Sequence, residues 1–88
     1  MNAKAGERHL LRDERNAFAS IDFGWGGKVL ASGDWRGRLL LWDVANRTIK
    51  SSWDLPGRIC TLKFAPDERH LAVADGTGAV YILRLKPQ

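Results

Sequence analysis

The chain has 88 residues, 44% of them hydrophobic, and a formal charge of +4. That length holds one domain or less and buries only a little over ~60% of the unfolded surface, so a fold with extra exposed faces is marginal alone. No apolar run nears the ~18 residues of a membrane span, and the charged N-terminus MNAKAGERHLLRDERN lacks the apolar segment of a secretory signal. A cytoplasmic location is therefore expected, with no membrane partner. Cys60 is the single cysteine, which excludes an internal disulfide framework and any Cys/His metal spacing; a small core side chain is its expected role. Basic residues run from Lys4 to Lys86 interleaved with Asp and Glu, a solvated surface rather than a phosphate-tracking stripe. Nucleic acid is thus not an expected partner, and weak polyanion binding is a lesser alternative.

In chain order, residues 1–6 read as a flexible tail and residues 7–12, Glu-Arg-His-Leu-Leu-Arg, as a short strand. A first unit covers residues 13–53. Ala19, Ile21 and Phe23 alternate with Ser20 and Asp22, a strand period. The glycine-rich turn Gly24-Trp25-Gly26-Gly27 follows, then a short strand from Lys28 to Ser32. A second turn ends at Gly37, a third strand runs from Arg38 to Val44, and Ala45-Asn46-Arg47 turns the chain, with Asn46 suited to a left-handed conformation. Thr48 to Trp53 is the fourth strand. A second unit covers residues 54–85, with Cys60, Leu62 and Phe64 alternating against Thr61 and Lys63. It continues through a turn at Ala65-Pro66-Asp67-Glu68, a strand from Arg69 to Val73, a turn ending at Gly78 and a strand from Ala79 to Leu85. Residues 86–88 are a tail.

The second unit repeats the first without a gap. Residues 17–44 align with 58–85 at an offset of 41, with five identities: Phe23 with Phe64, Leu30 with Leu71, Ala31 with Ala72, Asp34 with Asp75 and Gly37 with Gly78. The third strands, Leu39-Leu40-Leu41-Trp42 and Val80-Tyr81-Ile82-Leu83, are apolar throughout, so each needs cover on both faces. Radial stacking of four-stranded antiparallel sheets, as in a β-propeller, supplies it.

The stretches Phe64-Ala65-Pro66-Asp67-Glu68-Arg69-His70-Leu71-Ala72 and Leu30-Ala31-Ser32-Gly33-Asp34-Trp35-Arg36-Gly37-Arg38-Leu39-Leu40-Leu41-Trp42-Asp43 resemble the WD-repeat (WD40) family of propellers. The resemblance implies an all-β fold and non-catalytic protein binding, without cofactor or metal. It also implies a buried hydrogen-bonded tetrad, of which Trp42 and Ser32 fit two places. The tetrad Asp position holds Arg36, and no His stands in either connection where the family has one. In the second unit Leu83 replaces the Trp and Thr77 the Asp, so these blades are expected to rely on packing.

Two units cannot close a ring that takes about four to eight blades. With the strands of each unit lettered a to d in chain order and residues 7–12 taken as a preceding d, the order is d-abc-d-abc, and the expectation is that residues 7–12 of one copy, through Arg8, Leu10 and Leu11, pair with the last strand of another, through Val80 and Ile82. A homotrimer of six blades or a homotetramer of eight results, with a slight lean to the tetramer. The alternative is a fragment or split piece of a larger propeller, completed by another chain.

Partner contacts in the family come from the loops between strands b and c and between d and a. On this chain they place a partner-binding face at Trp35, Arg36, Trp53, Asp54 and Arg58, where Trp and Arg are the residue types enriched in hot spots. The competing bland readings are that Trp35 lies over its own blade edge, Arg36 pairs with Asp34, and Trp53 fills a gap between blades. Asp34 and Asp75 recur at one repeat position and are expected to cap their turns rather than ring a channel mouth. His9 and His70 stand without paired carboxylates, a nucleophile elbow or a phosphate loop, so no catalytic residue is assigned.

Overall fold

Alternating and apolar segments become seven strands in the computed structural model, which describes residues 18–85. They are β1 (Phe18–Gly24), β2 (Val29–Asp34), β3 (Arg38–Asp43), β4 (Thr48–Asp54), β5 (Ile59–Phe64), β6 (His70–Asp75) and β7 (Val80–Arg84). Two antiparallel meanders result, a four-stranded sheet ordered β1-β2-β3-β4 and a three-stranded sheet ordered β5-β6-β7. The second strand of each unit ends two residues later than the sequence suggests, because Asp34 and Asp75 still pair across the ladder before their carboxylates open the turn. The expected strand at residues 7–12, with Arg8, Leu10 and Leu11, and the two tails lie outside the described residues.

The repeat extends to its irregularities. Register shifts between Phe18 and Ser20 on β1, and between Ile59 and Thr61 on β5, at the same place in the two copies. The second bulge overturns the expectation for Cys60. An extra residue in one strand leaves the ladder, so Cys60 is exposed and free instead of entering the core with Leu62 and Phe64.

Turns follow local chemistry. Gly24 and Trp25 carbonyls accept the amides of Gly27 and Lys28 at 3.1 Å each, and Trp25, Gly26 and Gly27 all have positive φ. Glu68, at the repeat position of Gly27, also has positive φ, at 58°. In the turn after β3 the left-handed residue is Arg47 rather than Asn46. Asn46 is held instead by Asp43, whose carboxylate accepts its backbone N–H at 3.1 Å and its side-chain amide at 3.0 Å.

The main core lies between the sheets. Val29, Ala31, Leu39 and Leu41 of the first pack against Ile59, Leu62, Phe64, Leu71 and Val73 of the second, with Leu85 beside them. A smaller cluster of Leu30, Leu40 and Trp42 lies on the other face of the first sheet, with Phe18 edge-on to Trp42 at 6.2 Å. Within it the Trp42 indole donates to the Ser32 hydroxyl at 2.9 Å, the two tetrad members expected. β3 is buried on both faces, as its apolar run requires. β7 departs from that expectation: Val80 and Ile82 are exposed and only alternate residues are partly covered, because no further sheet packs on that side among the described residues.

Candidate partner-binding face

The turn between β2 and β3 is built by one carboxylate. Asp34 is buried, and its Oδ1 accepts the amides of Arg36 and Arg38, both at 2.9 Å. Asp75 repeats the device: its Oδ1 accepts the Thr77 and Ala79 amides at 3.0 and 3.3 Å and the Thr77 hydroxyl at 2.6 Å. Both aspartates are buried turn caps. The Thr77 hydroxyl, and after it the turn amides, hold the Asp75 carboxyl below its ordinary range against the opposing effect of burial. Burial, and then the charge of Asp75, push the Tyr81 phenol up. Asp75 Oδ2 is buried without a hydrogen-bond partner.

Gly37 makes the first of these turns possible. Its φ is +88°, and a side chain there would run into the carbonyls of Leu55 and Gly57, the latter 2.6 Å from where Cβ would sit. The close approach lets the Leu55 amide bond the Gly37 carbonyl at 2.8 Å, so the connection from β4 to β5 lies directly on the β2–β3 turn. That connection carries Arg58, whose carbonyl accepts the Gly76 amide at 2.7 Å, tying it to the β6–β7 turn as well.

Two of the five expected face residues are brought together by this arrangement. Trp35 is 60% exposed, and the Arg58 guanidinium stands over its ring at 5.4 Å from the centroid. Such a pair contributes about 0.5–1 kcal/mol at an exposed site and presents a flat aromatic with a cation on top. Arg36 is exposed, and its bond to Asp34 is made by the backbone amide. Asp54 is exposed at the end of β4, in register with Arg38. Trp53 is different: it packs on the main core, filling the space between sheets.

Trp25 stands in the glycine-rich turn after β1. Its indole N–H donates to the Glu68 carbonyl of the second sheet, and Lys50 Nζ stands 5.0 Å from its ring centroid, so the residue fastens the two sheets together. Only a repeat-aware comparison of the two first turns could have suggested this, since both residues lie in them. An open cleft of about 920 Å³ borders this contact, with Lys28, Lys50 and Arg69 balanced by Asp43, Asp67 and Glu68. His70 is bonded locally, its Nδ1 2.8 Å from Asp67 Oδ2.

No family model matches the chain. It is 33% identical over 69 residues to the periodic tryptophan protein 2 homolog of Schizosaccharomyces pombe, which covers 77% of this chain and 8% of that protein. Among solved structures it superposes on the β-propeller domain of Cps50 (Swd1) from Myceliophteria thermophila with a TM-score of 0.76 at 24% identity, covering 83% of this chain and 23% of that one. It superposes on the WD40 repeats of RRP9 with a TM-score of 0.77 at 15% identity, covering 84% and 24%. The chain thus spans about a quarter of each propeller chain and a much smaller share of the curated relative. Its two meanders, their shared core and these likenesses give the conclusion that in fold the chain is a partial WD40-type β-propeller of two blades.

Proposed function

We propose that the chain is a non-catalytic scaffold for protein–protein interaction, presenting Trp35 and Arg58, flanked by Arg36 and Asp54, to a protein partner from the rim of a self-assembled ring. Residues 7–12 of one copy, through Arg8, Leu10 and Leu11, add to the β7 edge of the next, and three or four copies close a ring of six or eight blades. The observation that carries this reading is the inequality of the two sheets. β3 is paired with β4 along its length, whereas β7, its repeat counterpart, is an edge strand among the described residues. Long unpaired edges with apolar side chains are aggregation sites unless covered, and strand addition covers them.

Light scattering on the full chain, and on the chain lacking residues 1–12, tests the proposal. A mass of three or four chains that falls on deletion is the expected result; a folded monomer in both cases refutes self-assembly. A second reading is that the remaining blades belong to a longer chain. The shares of 23% and 24% of the matched propeller chains support it. In that reading the isolated chain stays monomeric and the same face serves partners from within a larger ring.

A further inference from the structure

The contact between the two sheets is a template for what lies beyond them. Leu62 and Phe64 on β5 are 5% and 7% exposed because the first sheet covers them. Their repeat counterparts on β1, Ile21 and Phe23, are both 56% exposed. On the other side, Leu39 and Leu41 are 0% and 4% exposed under the second sheet, while their counterparts Val80 and Ile82 are 66% and 63% exposed. The molecule therefore carries one formed sheet-to-sheet interface and the two halves of another, a front at Ile21 and Phe23 and a back at Val80 and Ile82.

We infer that the occupant of each free half is a second copy of this chain, stacked head to tail, and that Lys63 sets the strength of the junction. This inference rests on the self-assembly reading above and deepens it. In the formed interface β1 grips β5 by side chain: the Asp22 carboxylate accepts the Phe64 amide at 2.7 Å and the Ser20 hydroxyl accepts the Leu62 amide at 3.3 Å. The offset of 41 puts Thr61 in the place of Ser20 and Lys63 in that of Asp22. Thr61 keeps an accepting hydroxyl for the Ile21 amide of the next copy. Lys63 has donors only, so the Phe23 amide loses its charged acceptor.

Packing adds to the difference. Phe64 sits where a Cβ on Gly24 would be 2.7 Å from its ring, so the formed interface depends on glycine there; the counterpart of Gly24 is Ala65. The junction between copies is the looser of the two, and assembly is concentration-dependent. A hydrogen bond to a charged acceptor is worth about 1.5–3 kcal/mol, so restoring it by Lys63→Asp tightens association about ten-fold or more.

The test uses the full chain. Front variants carry Ile21→Glu and Phe23→Glu, and back variants Val80→Glu and Ile82→Glu, all at exposed positions, with circular dichroism to confirm folding. Sedimentation velocity is expected to find each variant monomeric alone and a one-to-one dimer on mixing, since only an intact front meeting an intact back remains. Lys63→Asp is expected to lower the concentration of half-assembly about ten-fold. A wild-type chain that is monomeric at every concentration overturns both the self-assembly reading and this inference. A wild type that assembles while both double variants keep its mass, or while Lys63→Asp leaves the midpoint unchanged, overturns this inference alone and leaves strand addition in place.

Discussion

Replacing the last residue of each β-turn glycine pair separates backbone strain from steric contact. Gly37 and Gly78 occupy the same repeat position with φ of +88° and +89°. A Cβ on Gly78 meets nothing within 4 Å, whereas on Gly37 it meets the carbonyls of Leu55 and Gly57. Gly78→Ala then costs only the left-handed backbone, about 1–2 kcal/mol. Gly37→Ala costs that and an overpacking cost of about 1–3 kcal/mol, since backbone carbonyls cannot rotate away. Urea unfolding followed by circular dichroism at one low protein concentration gives both values, the low and shared concentration keeping the contribution from association small and common to both. For a chain of this size 1 kcal/mol is about 4–8 °C in Tm, so the two variants differ measurably. Gly37→Ala also pushes the connection that carries Arg58 away from Trp35, so the summed tryptophan emission of the folded chain changes in that variant alone. Equal destabilisation by the two substitutions refutes the assigned close approach.

Ser32→Ala leaves the buried Trp42 indole N–H without an acceptor and is expected to cost about 1–3 kcal/mol; adding Trp42→Phe removes the orphaned donor, so the double variant falls short of the sum, as denaturant titration will measure. Glu68→Gly relieves a positive φ on a side-chain-bearing residue and is expected to raise stability by about 1 kcal/mol by the same titration, the long Gly26 amide contact at 3.4 Å being a small loss. Folding lowers the carboxyls of Asp43, Asp67 and Asp75. Their contribution is therefore present above the unfolded carboxyl value near 3.9 and is lost as pH falls through the folded values, so thermal melts are expected to drop below about pH 4. Asp75→Asn reduces that acid sensitivity.

Much of the fold was legible because it depends on short-range chemistry. Alternation in Ser20 to Phe23, glycines and Pro-Asp at turns, and the apolar run at Leu39 to Trp42 all act within one strand or hairpin, and the Trp42–Ser32 pair joins neighbouring strands. The two aspartate caps were legible for the same reason, each bonding amides two and four residues on. Features that no residue type announces were not, even within one hairpin. The bulge that exposes Cys60 belongs to the pairing of β5 with β6, and no residue type announces it. Arg47 takes a left-handed conformation because Asp43 claims Asn46, a competition that propensity alone orders the other way.

The candidate face shows the same division at the level of function. Trp35 and Arg36 are adjacent and invite a joint role, yet the cation over Trp35 comes from Arg58, whose position depends on a glycine twenty-one residues earlier in the chain. Gly37 admits the Leu55–Gly57 backbone, that backbone sets the path of Arg58, and the Arg58 carbonyl binds the second blade at Gly76. The Trp35–Arg58 pair is thus fixed by contacts that also join the two blades. Whatever loosens the blades from one another moves Arg58 relative to Trp35, so the shape of the proposed face is coupled to the packing of one blade on the other.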